Sequence, residues 1–592
     1  MFDRTTWIAI ALSIAGLIGW QWYYTNNYLP AIEAQRKATL TQPPTTASLL
    51  QESTAPTPAP KKELVIVKES IPELQTRRET FDTAKAEYLF SDNSGGIEAV
   101  TLFLHLGEQD HSLQLNNLSP TPIGALQEKS GDSFNTLRGF VMNSDKTAEN
   151  VSFIRSEPSG LNIIKNFTLP QTTGSPQEYT VGLDLTFENK GTIPLDIPSY
   201  FLSCGGATPV HATDASTYTR FDWCSKGKMT TIDVNWFSAG MIPILGIETH
   251  AARSLYEIKN PDIAWTAVTS QYFCTILTAQ EKEQHASAWA SRFEDALIPK
   301  TTASKPIYGI QGGFVLEPLH LVPGASITQH YTIFAGPKDF AALEKLGDGQ
   351  QNVMNFGTFH LVSEFLLWAM NHLKKILGNY AAAIIVLTLL IKTILWPIQN
   401  KATSSMKRMQ LLSPRMTELR AKYKDNPTKM NEELMKLYKQ YGVNPFGGCL
   451  PMLVQIPIFF GFYSMLGTAI ELRNSHFLWI HDLSQPDTIA HFLHYPINLL
   501  PIIMAGTMLW QMSLSPKGGD PAQQRIMYLM PVVFLCFCYN FASALALYWT
   551  TQNLFSIGQL YLTRNAPLPQ LEEPAPKKKR RFQKAKPKKS KR

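Results

Sequence analysis

Residues 380–398 read YAAAIIVLTLLIKTILWPI, an apolar run of membrane-spanning length that carries one cation, Lys392. A charge inside a bilayer costs about 2.5–3.5 kcal/mol on insertion scales, so such a residue usually faces protein or a water-filled cavity. Thr388 lies one helical turn before Lys392 and therefore shares its face. The run predicts a membrane-spanning helix whose polar stripe lines a cavity. The alternative is that Lys392 snorkels to the nearer interface.

Other apolar segments predict further spans. Their lengths are close to the roughly 20 residues that a helix needs to cross a bilayer, and the two shortest segments predict a locally thinned bilayer. With the run above they make six predicted spans: an N-terminal anchor at 1–24, then 379–398, 446–470, 497–512, 526–541 and 543–562.

Positive charge orients these spans, because Lys and Arg favour the cytoplasmic side. The segment 399–445 has ten Lys or Arg against four acidic residues, whereas the loop 471–496 has one Arg and three acids. The tail at 563–592 holds eleven cations in its last sixteen residues, KKKRRFQKAKPKKSKR. We therefore predict that both termini, 399–445 and the loop 513–525 are cytoplasmic. The region before 379 then lies on the opposite side.

That region predicts an all-β domain at 63–348. In 181–188 apolar residues alternate with polar or small ones, as in a strand with one buried face, and 327–334 is a second candidate strand. Many short strands with turn signals favour a sandwich. A Pro-rich linker at 25–62 precedes the domain. An amphipathic helix at 350–378 follows it, lying either in the membrane surface or against the β domain.

The segment 399–445 predicts a helical hairpin that breaks at Asp425-Asn426-Pro427. Each arm has an apolar stripe rich in methionine, a residue that adapts to varied partners. The alternative is that the stripes only join the two arms. The candidate contact residues are Met406, Met409, Met416 and Met430.

Catalytic and metal-binding motifs are absent from the sequence. No GxxxxGK[ST], HExxH or GxSxG occurs, and no His/Cys spacing fits a zinc site. The chain is therefore not expected to be an enzyme or to need a cofactor. Cys204 and Cys224 could pair if their region is extracytoplasmic, and the sequence leaves this open. The basic tail predicts an anionic partner.

Two motifs then resemble the YidC family of membrane protein insertases. They are NPFGGCLP at 444–451, followed by QIPIF at 455–459, and WIHDLS at 479–484. The order of elements matches as well. The resemblance covers essentially the whole chain and is strongest over 350–562.

The resemblance implies a β-supersandwich in the periplasm of a bacterial inner membrane. It also implies a five-helix core with a hydrophilic groove, through which nascent membrane proteins are inserted. The family's groove and substrate-path positions fall on Lys392, Thr388, Gln455, Tyr548 and Trp549. The groove cation is most often arginine, so lysine keeps the charge but loses the bidentate fork. The family's Pro-Ser-Gly break is Ala542-Ser543-Ala544 here.

The resemblance also implies partners. The hairpin and the tail resemble the parts that meet the ribosome, and polyanionic rRNA suits the tail. Anionic lipids are the alternative partner of the tail, and both can hold. The Sec translocon is a further expected partner, and a monomer is expected to be functional. The competing functions are a solute transporter or channel with a polar intramembrane site, and a membrane-tethered periplasmic enzyme.

Overall fold

The computed structural model describes residues 76–563, with gaps at 108–110, 131–132, 146–149, 171–175, 212–213, 243–246, 260–261, 282–286, 295–306, 444–449, 493–494 and 516–520. The predicted N-terminal anchor, the linker at 25–62 and all but the first residue of the tail at 563–592 lie outside the described residues. Most of the motif at 444–451 does so too.

Strands make up the first part of the described chain. In chain order they are β1 (Arg78–Asp82), β2 (Ala86–Ser91), β3 (Gly96–Leu106), β4 (Ser112–Leu115), β5 (Leu126–Ser130), β6 (Ser133–Thr136), β7 (Val141–Asp145), β8 (Asn150–Ser156), β9 (Leu161–Thr168), β10 (Thr180–Asn189), β11 (Leu195–Ile197), β12 (Phe201–Ala207), β13 (Arg220–Ser225), β14 (Lys228–Asp233), β15 (Gly240–Ile242), β16 (Ile247–His250), β17 (Leu255–Lys259), β18 (Ile263–Thr269), β19 (Phe273–Ala279), β20 (Ser287–Glu294), β21 (Tyr308–Val315), β22 (Leu319–Leu321) and β23 (Ser326–Pro337). A later hairpin has β24 (Thr488–Phe492) and β25 (Tyr495–Asn498).

Two large antiparallel sheets form the body of this β region. One has nine strands in the order β14-β13-β18-β19-β23-β10-β9-β8-β7, and the other has six in the order β17-β20-β21-β12-β5-β6. They pack face to face, with β18 of the first sheet against β12 and β21 of the second. In β10 every second residue from Val181 to Phe187 is buried, because a period of two places alternate side chains on one face. The predicted all-β domain is confirmed.

The cysteines of this region are core residues. Cys204 on β12 and Cys224 on β13 are both buried, and no disulfide joins them in the described residues. Burial raises the pKa of the Cys204 thiol to about 12, which makes it unreactive at neutral pH.

Three charged side chains are buried near the end of the β region. Arg220 and Asp222 lie on β13 with side chains 6% and 0% exposed, and the fully buried Lys338 follows β23 directly. Arg220 Nη2 lies 3.5 Å from Asp222 Oδ2 and donates a hydrogen bond of 2.8 Å to the carbonyl of Val353. Among the described residues, Lys338 Nζ and both Asp222 oxygens lack a hydrogen-bond partner. We call Arg220, Asp222 and Lys338 the buried charge cluster.

Lys338 makes the stability of the β region depend on pH. Burial, together with the Arg220 charge, lowers the pKa of Lys338 to about 7. An exposed lysine of the unfolded chain titrates near a pKa of roughly 10.4. Between these values the unfolded state binds more protons, so stability rises with pH across this window. We expect Lys338→Met to raise the free energy of unfolding by a few kcal/mol at pH 7, with an advantage that shrinks towards pH 10.

Hydrogen exchange of β19 and β23, compared between variant and wild type at each pH, measures this difference. The exposed lysine Lys345 provides the control, since Lys345→Met removes the same charge from the surface. An advantage of Lys338→Met that is equal at pH 7 and pH 10 would contradict the assignment.

Helices make up most of the second part of the described chain. They are α1 (Phe340–Leu346), α2 (His360–Leu377), α3 (Tyr380–Lys422), α4 (Pro427–Gln440), α5 (Leu450–Thr468), α6 (Leu499–Leu514), α7 (Pro521–Cys538) and α8 (Ser543–Thr563). Asn379 caps α3 by accepting a hydrogen bond from Ala382 N, and Asn426 caps α4 in the same way through Lys429 N. The predicted helical character of this region is confirmed.

The span predicted at 379–398 and the first arm of the predicted hairpin form one helix. α3 has 43 residues and continues through Pro397 and Pro414. It ends just before the predicted break, and Pro427 then opens α4. By length and composition, α3 is the one helix of the described residues that passes as a complete span, and shorter apolar helices lie at Leu453–Thr468, Leu499–Leu514 and Tyr528–Cys538. The count of six spans stays a prediction.

The amphipathic segment becomes an α-helix later than predicted. Left-handed backbone at Asn355 (φ 50°) and Gly357 (φ 70°) interrupts it, so α2 begins at His360. α2 packs on α3 and α5. Ser363 donates a hydrogen bond of 3.1 Å to the carbonyl of Gly461. Glycine allows this close approach, because the Cβ of any other residue at position 461 would lie 2.8 Å from the Val362 side chain. The opposite face of α2 leaves large apolar side chains exposed, at Leu361, Phe365, Trp368 and Ile376.

Candidate functional site

Lys392 lies on α3 and faces α8. Its Nζ donates a hydrogen bond of 3.3 Å to Ser556 Oγ, and the side chain is partly exposed. In the described residues no carboxylate forms an ion pair with Lys392. A cation in this setting keeps an attraction for negative charge that no group of the protein cancels.

Gln455 lies beside Lys392. Both line a small cavity between α3, α5 and α8, whose volume for water centres is about 10 Å³. That is close to the space for a single water molecule. The full lining is Lys392, Leu395, Ile398, Gln399, Val454, Gln455 and Gln559. The structure therefore brings two of the predicted site residues together in one small cavity with a mixed polar and aliphatic lining.

Thr388 does not line this cavity. It is 1% exposed, and its hydroxyl donates a hydrogen bond of 2.7 Å to the carbonyl of Ile384 one turn earlier on α3. Such a bond satisfies the hydroxyl inside its own helix. The polar stripe inferred from the spacing of Thr388 and Lys392 is thus buried at one end and open at the other.

Tyr548 and Trp549 form an aromatic seam instead of a polar wall. The Tyr548 ring stacks on Phe462 of α5 with centroids 4.1 Å apart, and its hydroxyl has no hydrogen-bond partner in the described residues. Trp549 is partly exposed and contacts Phe459 and Phe534 at centroid distances of 4.9 and 4.7 Å. The seam joins α8 to α5 and α7.

The buried polar face of α8 is the part of the site that sequence reasoning missed. Asn553, Ser556 and Gln559 recur every third residue and are at most 5% exposed. Asn553 Nδ2 donates to Thr507 Oγ1 of α6 at 3.1 Å, and Gln559 Nε2 donates to Asn400 Oδ1 of α3 at 3.0 Å. The signal was present, because three polar residues at helical spacing in an apolar segment indicate an inward-facing polar stripe.

The methionines of the predicted hairpin differ in their surroundings. Met416 is buried in a cluster that joins α3 to α4, and Met409 and Met430 pack against it. Met406 is partly buried and lies outside this cluster. The packing favours the alternative that most of the stripe joins the two arms. Met406 remains the better candidate for contact with a partner.

The turn before α8 forms without the Pro-Ser-Gly break. α7 ends at Cys538. The first amides of α8 find partners in the loop between α5 and β24, since Ser543 N donates to Gln485 O at 2.9 Å and Ala544 N to Leu483 O at 3.0 Å. Helix starts leave such amides without intrahelical partners. Hydrogen bonds to the loop therefore fix this turn.

Family comparison covers both parts of the described chain. The YidC periplasmic domain family matches residues 87–369, and the 60Kd inner membrane protein family matches 372–569. The membrane protein insertase YidC of Syntrophus aciditrophicus (strain SB) is 33% identical over 423 residues, which cover 71% of this chain and 70% of that protein. The chain belongs to the YidC family of membrane protein insertases. The resemblance found in the sequence is confirmed.

Other YidC proteins align over a larger share. The membrane protein insertase YidC of Geobacter sp. (strain M21) is 32% identical over 497 residues, covering 82% of this chain and 85% of that protein. A crystal structure of an active YidC insertase, with its first transmembrane domain resolved, aligns over 83% of this chain and 93% of that one, at 20% identity and a TM-score of 0.35. As a YidC-family member, the chain is an inner-membrane protein whose β region is its periplasmic domain.

Proposed function

We propose that this chain inserts nascent inner-membrane proteins and helps them to fold, through a polar intramembrane groove at Lys392. The observation that carries the proposal is the setting of Lys392 between apolar helices. It donates a hydrogen bond to Ser556 and shares a small cavity with Gln455, and no carboxylate of the described residues neutralises it. Acidic segments of a client are attracted to this cation and exchange bulk water for the polar side chains around it. A lysine attracts them as a point charge, without the bidentate geometry of an arginine.

The apolar part of a client takes a different path. The partly exposed Trp549 offers it an apolar surface that Phe459 of α5 continues, and the buried Tyr548 holds α8 against α5 beneath this surface. Passage from this seam into lipid supplies the driving force, about 0.8 kcal/mol per buried methylene. Thr388 supports the site from within α3, because its hydroxyl is already bonded to the helix.

The remaining parts provide partners and orientation. We assign the hairpin of α3 and α4, with Met406, and the basic tail to the cytoplasmic side, where both termini lie. There the tail binds rRNA of the ribosome and anionic lipid headgroups through its eleven cations. The chain acts as a monomer, alone or beside the Sec translocon.

Site-specific photocrosslinking tests the groove. Ribosomes are stalled while they translate a small single-spanning client with an acidic extracellular tail, and the probe is placed at position 455 or 549. We expect crosslinks at both positions once the apolar segment of the client has left the ribosome. Position 394 is the matched control, because Ile394 is 75% exposed and lies two residues from Lys392, on the opposite face of α3. Crosslinks at 394 that equal those at 455 and 549 would refute the groove.

A further inference from the structure

A polar pocket lies on the β region, away from the buried charge cluster and the helices. Its volume is about 820 Å³, within the size range of small-ligand sites. It lies along the six-stranded sheet, between β5 and β6 on one side and β20 and β21 on the other. The lining residues are Pro120, Thr121, Gln127, Phe134, Asn135, Thr136, Arg138, Ala252, Arg253, Ser254, Ser291, Arg292 and Gln311.

Three arginines line this pocket, and none forms an ion pair with a carboxylate in the described residues. Two of them are held in place by neutral groups. Arg253 stacks on the ring of Trp236 at 4.4 Å, and Arg292 lies over Tyr308 at 4.3 Å while donating a hydrogen bond of 2.9 Å to Ser238 Oγ. Fixed guanidinium groups without counter-ions recognise carboxylate or phosphate groups.

The floor of the pocket is a directed chain of hydrogen bonds. Gln127 Nε2 donates to Thr121 Oγ1 at 2.8 Å, Thr121 Oγ1 donates to Gln311 Oε1 at 3.0 Å, and Gln311 Nε2 donates to Ser291 Oγ at 3.0 Å. This direction leaves Gln127 Oε1 as an acceptor. Gln127 is 2% exposed, and its Oε1 has no hydrogen-bond partner in the described part of the chain. This buried chain fixes the side chains beneath the pocket in one arrangement.

We propose that this pocket binds an acidic peptide segment. The ligand must present negative charge to Arg253, Arg292 and Arg138, and it must hydrogen-bond to the other polar side chains of the lining, at Asn135, Thr136 and Ser254. A peptide with Asp or Glu side chains does both, since its backbone N–H groups donate and its carboxylates pair with guanidinium groups. An isolated oxyanion can pair with the arginines, but it has no N–H group to donate to the acceptor oxygens of Asn135, Thr136 and Ser254.

The assignment rests on the proposed function, which delivers client segments to the periplasmic side. Acidic segments that Lys392 attracts in the membrane then meet a second cationic surface on the β region. The pocket holds such segments after translocation and takes no part in insertion itself. Its loss therefore changes peptide binding and leaves the insertion step intact.

Fluorescence anisotropy with full-length protein in phosphatidylcholine nanodiscs measures this binding directly. The probe is a labelled ten-residue peptide with four glutamates, compared with its glutamine counterpart. We expect R253Q/R292Q to weaken binding of the glutamate peptide by roughly tenfold or more, because charge-assisted hydrogen bonds are lost. K228Q/K345Q is the matched control, since it removes two exposed charges outside the pocket and should change affinity less than about twofold.

Three results would overturn the assignment. They are unchanged affinity of R253Q/R292Q, equal binding of the glutamine peptide, and full displacement of the glutamate peptide by millimolar inorganic phosphate, which would mark a small-oxyanion site. Insertion of a client into proteoliposomes is measured in parallel. Normal insertion without peptide binding refutes the pocket alone, whereas peptide binding without insertion by the wild-type protein refutes the proposed function.

Discussion

Replacing Lys392 by glutamate is expected to reduce insertion of clients with acidic extracellular tails by about tenfold or more. The variant turns attraction into repulsion where the wild-type lysine has no counter-ion in the described residues, and charges interact strongly away from bulk water. Clients with neutral tails should be affected much less. Protease protection of radiolabelled clients in proteoliposomes measures the inserted fraction of each.

Two further substitutions at the same position separate charge from shape. Lys392→Arg keeps the charge and should insert both kinds of client normally, whereas Lys392→Gln should give an intermediate defect with acidic tails. The matched pair of clients differs only by glutamate and glutamine in the tail. Equal insertion by wild type and Lys392→Glu for both clients would remove the electrostatic role of Lys392.

The fold was predictable where burial follows a simple period. Strand β10 alternates buried and partly exposed residues, and the apolar run of α3 is visible as a stretch of membrane-spanning length with a single cation. The ends of helices were harder to predict. A helix can continue through a proline when other contacts stabilise it, as α3 does at Pro397 and Pro414. The helical start of α2 depends on backbone conformation at Asn355 and Gly357, which no apolar period reports.

The site was predictable only in part. Lys392 was found because a charge in an apolar run is costly, and the family resemblance supplied Gln455, which the structure places beside it. The role given to Thr388 rested on helical spacing, and spacing cannot show that its hydroxyl bonds to Ile384. Ser556 became part of the site only when tertiary packing brought α8 against α3.

The buried charge cluster could not be predicted at all. Arg220 and Asp222 are two residues apart on β13, a pattern that on most strands would place both side chains on an exposed face. Here β13 lies between β14 and β18, and all six of its residues are buried. Lys338 joins them from a position more than a hundred residues later in the chain. Only the packing of β23 and the segment after it brings Lys338 close enough for these charges to influence one another.

Removing the single acid of that cluster should therefore be strongly destabilising. Asp222→Ala leaves the buried Arg220 guanidinium with no carboxylate to offset it, and it removes the negative charge that favours protonation of Lys338. Breaking a buried pair from one side costs on the order of 3–5 kcal/mol, because the remaining charge stays desolvated. We expect a loss of this size in the free energy of unfolding of the β region at pH 7. Hydrogen exchange of β13 and β18 in the full-length protein measures it strand by strand.

The double variant D222A/K338M shows whether charge is the cause. It removes one basic group together with the acid, so Lys338→Met should stabilise the Asp222→Ala background by more than it stabilises the wild type, whereas independent sites would give equal gains. Asp222→Asn, similar in size but neutral, should fall close to Asp222→Ala if charge dominates. A loss below about 1 kcal/mol for Asp222→Ala, or additive effects in the double variant, would mean that Asp222 does not stabilise the two buried basic groups.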